Sequence, residues 1–126
     1  MRNSFKSILL TALLFAVIAV LGCSRNAPPP EPIALDQLPA AMEKAFASAK
    51  GEAKEVADQV VAAVNAKDFA KAAAGLQKLT VLNGLSKEQV NTAARSVLSV
   101  NQALQEAQSK GDQKAVQTLK SYQINK

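Results

Sequence analysis

Apolar residues follow two unlike patterns along the 126-residue chain. Ile8 to Leu21 form an apolar run interrupted only by Thr11. From Asp36 onward they recur at steps of three and four, the spacing of one face of an α-helix. Between the two lies Arg25 to Leu35, where Pro28, Pro29, Pro30 and Pro32 prevent a helix from propagating. This stretch favours extended polyproline II, and at about 3.1 Å per residue its length comes to roughly 34 Å. It reads as a semi-rigid tether ahead of a folded unit.

The first stripe comprises Leu38, Met42, Ala45, Phe46, Ala49, Ala53, Val56, Val60 and Val64, with Pro39 suited to a first helical turn. Gly51 interrupts it at a cost of about 1 kcal/mol relative to alanine. The pattern leaves open whether the helix continues through Gly51 or breaks there. A second helix is predicted from Asp68, a good N-cap, through Phe69, Ala72, Ala73, Leu76, Leu79 and Leu82, ending at Asn83-Gly84. Ser86 and Gln89 make a capping box for a third, with Val90, Ala93, Ala94, Val97, Leu98, Leu104 and Ala107 inward. Gly111 closes that helix, and Asp112 caps a short fourth one running through Val116 and Leu119 towards Tyr122. No alternating strand pattern occurs in residues 36–126. The fold class is therefore all-α: a small bundle of about four antiparallel helices, arranged as two hairpins after the Pro-rich tether. Phe46 and Phe69, the largest inward residues of the first two helices, are expected to anchor the packing. Alanine fills many other inward positions, which predicts a light core and leaves self-association open.

The two hairpins share a local form. Asn65-Ala66-Lys67-Asp68 and Ser109-Lys110-Gly111-Asp112 each place an aspartate at the start of the second arm. The segment Lys67-Asp68-Phe69-Ala70-Lys71-Ala72 resembles the second helix of a tetratricopeptide repeat, and Gly111-Asp112 does so more loosely. That resemblance implies a truncated peptide-binding repeat as an alternative reading. The spacing from Lys67 to Gly111 is 44 residues, against 34 in that family, and the family's Trp-Gly-Tyr signature is missing.

The apolar run has its own reading. Arg2 and Lys6 precede it, the layout of a secretory signal peptide. At 14 residues it is short of the ~20 that a membrane-spanning helix requires. It ends at Val20-Leu21-Gly22-Cys23, and Cys23 is the one cysteine of the chain. Leu21-Gly22-Cys23 resembles the lipobox of bacterial lipoproteins, although Leu21 is bulkier than the family's usual alanine or serine. The resemblance implies removal of residues 1–22 and a diacylglyceryl group on the sulfur of Cys23. Two acyl chains suffice for stable anchoring where one gives only marginal binding. Ser24 stands where the family's sorting aspartate would be. In a diderm bacterium this implies an outer-membrane lipoprotein facing the periplasm, and in a monoderm the outer face of the cytoplasmic membrane. The expected organisation is a signal peptide at 1–22, lipidated Cys23 and linker at 23–35, and a helical domain at 36–126.

Without residues 1–22 the chain keeps 13 basic and 10 acidic residues, a net charge of +3, with the charges spread along it. Export and this modest charge argue against nucleic acid as a partner. Histidine is absent, which removes the commonest general base and metal ligand. Lipidation would consume the lone thiol, and no glycine-rich phosphate loop is present. Glu52, Glu55 and Asp58 read as the solvated side of an amphipathic helix rather than a metal or acid/base cluster. Lys67, Lys71 and Lys78 form a candidate basic stripe, read first as a solubilising face. Ser86-Lys87 and Ser109-Lys110 lie at helix junctions, where a lysine would stay exposed and unable to activate a serine. Asn101, Gln102, Gln105, Gln108, Gln113, Gln117 and Gln123 enrich the last third in amides, which could line a polar contact surface.

No catalytic, metal or cofactor site is thus expected. The function predicted is that of a non-enzymatic envelope lipoprotein, a helical interaction or scaffold module with a protein partner. A structural alternative rests on Lys126: murein lipoprotein is helical and is joined to peptidoglycan through a terminal lysine.

Overall fold

The computed structural model describes residues 28–124, so the leader, Cys23 and Lys126 lie outside the described residues. The described residues form five α-helices: α1 (Leu38–Ala45), α2 (Gly51–Asn65), α3 (Phe69–Thr80), α4 (Lys87–Ser109) and α5 (Gln113–Ile124). Among them there is no strand. None of these helices is long and apolar enough to cross a membrane.

The fifth helix arises at Gly51. Its φ of +59° lies in the left-handed region, while Lys50 before it is extended, so the first stripe cannot run as one rod. α1 ends at Ala45, and Phe46 turns inward to become one of the most deeply buried side chains. α1 buries Leu38, Met42 and Ala45, with Pro39 in its first turn. α2 then resumes the apolar face with Val56, Val60 and Val64. α2 packs most extensively on α3, α3 on α4, and α1 closes against both α2 and α4.

Small residues permit the closest approach. On α3, a Cβ added to Gly75 would lie 2.7 Å from Cγ2 of Val60 on α2, so glycine is needed for the helices to sit at this separation. On α4 the predicted inward face holds at Ala93 and Leu104, which are buried, but is rotated at other positions. Val90 is 53% exposed and Leu98 is at the surface, whereas Ser96, Ser99, Val100 and Ala103 are buried. The serines are admissible because their hydroxyls find carbonyls: Ser96 donates to Thr92 one turn back, and the single Ser99 proton is shared between the Arg95 carbonyl one turn back and the closer Ile33 carbonyl. Gln89 is also buried. It completes the capping box with Ser86 and donates from Nε2 to the Ala45 carbonyl at 3.3 Å, tying the end of α1 to the start of α4. Among the described residues no buried side-chain polar atom lacks a partner.

Phe46 anchors the core as expected, but Phe69 is only half-buried and packs on its edge. Leu82 lies beyond the end of α3 and, with Leu85, covers the core from the loop. The linker expected to extend to Leu35 stops short of it. Ile33 is in the core, its carbonyl accepts from Ser99 Oγ, and the Glu31 carbonyl accepts from Arg95 Nε at 2.8 Å. The sequence Glu31 to Leu35 is thus strapped to α4, and the proline-rich stretch leads directly into the fold.

Candidate functional site

The α2–α3 and α4–α5 hairpins turn by the same hydrogen-bonding scheme. Lys67 and Gly111 are both left-handed, with φ of +57° and +86°. Asp68 N–H donates to Ala63 at 2.9 Å, and Asp112 N–H donates to Ala107 at 3.0 Å. Lys67 N–H and Gly111 N–H each donate three residues back, both at 2.9 Å. These bonds satisfy the last carbonyls of α2 and α4. Each aspartate then caps the next helix, Asp68 accepting from Lys71 N–H at 3.1 Å and Asp112 from Ala115 N–H at 3.2 Å. The 44-residue correspondence of the sequence is therefore a correspondence of turns. The turns sit side by side and are bridged by Lys114 Nζ to Asp68 Oδ1 at 3.0 Å. That hydrogen bond, helped by the Lys71 N–H, holds the Asp68 carboxyl below its ordinary pKa.

The bridge sets one end of α5. Ala115, its one buried residue, seats the helix there, while Leu119 and Tyr122 farther along are only half-buried. A groove of 430 Å³ opens beneath this far part, between α3, α4 and α5. Ala73 and Leu76 of α3, Val97 and Val100 of α4, and Leu119 of α5 make its apolar floor. Four amides stand around it: Gln77 from α3, Asn101 and Gln105 from α4, and Gln123 from α5. Tyr122 completes the wall, and its partial burial pushes the phenol pKa up. No charged side chain lines the groove. Its volume falls within the ~300–1,000 Å³ common for ligand sites.

Three of the seven C-terminal amides, Asn101, Gln105 and Gln123, thus meet at one place. Gln102, Gln108, Gln113 and Gln117 are exposed elsewhere. Gln77 completes the rim, and nothing in its own helix marks it out, because the signal lies in how α3 faces α4. The other candidate residues are dispersed. Glu52, Glu55 and Asp58 are exposed, Lys54 pairs with Asp58, and Glu52 takes Lys78 at 2.9 Å. Glu52 raises the Lys78 pKa, and this pair removes one lysine from the supposed basic stripe. Lys67 and Lys71 are exposed. Ser86 is occupied as an N-cap and Ser109 donates to the Glu106 carbonyl, so neither hydroxyl is presented to a lysine. Among the described residues no group of three or more carboxylates, histidines or cysteines could hold a metal ion.

Compared with protein-family models, curated proteins and solved structures, the chain matches none.

Proposed function

We propose that the chain is a non-enzymatic interaction module of the bacterial envelope, anchored through a lipid on Cys23 and binding a protein partner through its helical domain. The anchor is supported by the lipobox-like Leu21-Gly22-Cys23 and the charged, apolar leader before it. Placement is at the outer membrane, facing the periplasm, if the organism is a diderm, and otherwise at the outer face of the cytoplasmic membrane. The observation that carries the binding role is the groove, a preformed concave surface with an apolar floor and a hydrogen-bonding rim. The proline-rich stretch spaces this domain from the bilayer.

The anchor is tested by labelling with palmitate. The wild-type chain should take up label and partition into detergent, whereas Cys23→Ser should do neither and should keep its leader. A wild-type chain that takes up no label refutes the anchor. The binding role is tested by affinity isolation from solubilised envelopes with chemical crosslinking, and failure to recover any reproducible partner refutes it.

A further inference from the structure

We infer that the outer face of the first half of α4, with Pro30 of the strap beside it, lies against the surface of the bilayer. This rests on the lipid anchor at Cys23. Glu31 to Leu35 is fastened to α4 through Arg95 Nε, Ser99 Oγ and the buried Ile33, so it adds nothing to the reach of the tether. Five residue steps, from Cys23 to Pro28, are left between the anchored residue and the described chain. Whatever their arrangement, they span at most about 18 Å, since a chain advances no more than about 3.6 Å per residue. A domain of roughly 100 residues has a radius of gyration of about 13 Å and is therefore about 30 Å across. Its far side lies beyond that reach. The side from which Pro28 to Pro30 lead is the one turned to the membrane.

That side carries an unpartnered apolar face. Pro30, Leu85, Val90 and Ala94 surround a shallow hollow of about 370 Å³ together with Lys87 and Asn91. Val90 is 53% exposed, and Leu98, one turn beyond Ala94 on the same helical face, is also at the surface. Val90 and Leu98 are the residues of α4 that read as inward from their hydrophobicity and yet stand outside the core. The one charge lining the hollow is that of Lys87; Glu31 and Glu88 are exposed nearby but do not line it. A lysine at the rim of an apolar face can lay its methylenes on that face and extend its ammonium to anionic headgroups. The area is small and would bind a bilayer weakly from free solution. A short leash removes that obstacle by holding the face at an effective concentration on the order of millimolar. A second copy or another protein gains no such help, because the fixed end of the leash is in the bilayer itself.

The chain has no tryptophan, so one introduced by substitution reports alone. The lipidated chain carrying Asn91→Trp is reconstituted in vesicles of phosphatidylglycerol and phosphatidylcholine brominated on its upper acyl carbons. Its emission should fall by at least about half relative to unbrominated vesicles, because an interfacial apolar face sinks about 5–10 Å into the headgroup boundary. Lys71→Trp and Gln113→Trp, at exposed positions near the paired turns at the other end of α4, should be quenched far less. Val90→Ser/Leu98→Ser should remove most of the quenching at Asn91→Trp, and Leu98→Trp repeats the measurement if Asn91→Trp lowers helicity. Quenching at position 91 no greater than at position 71 overturns the inference. So does quenching that survives Val90→Ser/Leu98→Ser unchanged. So does crosslinking of an unquenched position 91 to a second copy or to an envelope protein, which would make the occupant a protein. Residues 23–126, which hold every described helix, are also coupled through the Cys23 thiol to a maleimide-bearing phospholipid. Absence of palmitate on the wild-type chain refutes the anchor alone, whereas an unquenched Asn91→Trp on the coupled chain refutes the face with an anchor assured.

Discussion

Gly75 offers a test in which two physical effects predict opposite signs. It lies within α3, where replacement by alanine ordinarily stabilises a helix by about 0.8–1.0 kcal/mol. Here the new Cβ would be placed 2.7 Å from Cγ2 of Val60, well inside contact distance. Val60 is fully buried and, being β-branched, has little rotamer freedom with which to retreat. Overpacking of this kind costs about 1–3 kcal/mol, so the propensity gain is offset and Gly75→Ala should leave the fold up to about 2 kcal/mol less stable. In a Val60→Ala background the obstructing methyl is gone, and the nearest remaining atoms, Cβ of residue 60 at 3.9 Å and Val56 Cγ1 at 4.0 Å, are at ordinary contact distance. There the same substitution should stabilise by about 1 kcal/mol. Urea melts of residues 28–126 followed by circular dichroism would measure both steps of the cycle, and the coupling between the two sites should exceed 1 kcal/mol. If Gly75→Ala stabilises the wild-type background as much as the Val60→Ala background, α2 and α3 are not packed as described.

The strap ahead of α1 yields a second expectation. Ile33→Ala should lower stability by about 2–5 kcal/mol in the same melts, and a chain trimmed to start at Asp36 should melt lower than one starting at Pro28. The two phenylalanines should differ: Phe46→Ala should cost about 3–5 kcal/mol, and Phe69→Ala clearly less, because only Phe46 is fully enclosed. The Asp68 carboxyl, held below its ordinary pKa by Lys114, should contribute stability above the unfolded-state value near 3.8 and lose it as pH falls through the lower folded value. Asp68→Asn, which keeps an N-cap, should flatten that acid limb of the melting-temperature profile, and an unchanged limb would show that the bridge between the turns does not act in solution.

Much of the helical layout was legible from local chemistry. Proline at 39, aspartate at 68 and 112, and the Ser86–Gln89 pair each mark a helix start through a side chain acting within three residues. The rotation of α4 was not legible in this way. Its sequence offers Val90 and Leu98 as hydrophobic, and Ser96 and Ser99 as polar, yet the serines face the core. The choice is made by the neighbours, because Ser99 donates to the Ile33 carbonyl, 66 residues away in sequence, and a leucine could not. The groove was hidden for the same reason. The C-terminal amides were visible as an enrichment, but their convergence requires α5 to fold back across α3.

That return is set at the paired turns. An aspartate that caps a helix can be recognised from sequence, whereas the left-handed residue before it is obvious only when it is glycine, as at Gly111. Lys67 adopts the same conformation without that signal, against a side-chain penalty of about 1–2 kcal/mol. What holds it there is the scheme around it: two main-chain hydrogen bonds closing α2, an aspartate opening α3, and the neighbouring turn fastened through Lys114. With the turns joined at that end, Ala115 is buried against its neighbours, and Leu119 and Tyr122 farther along α5 pack half-buried against the core beside the groove. The groove lies toward the end of α5 away from the pair of turns. Its geometry depends on Lys67 and Asp68, residues that do not line its floor.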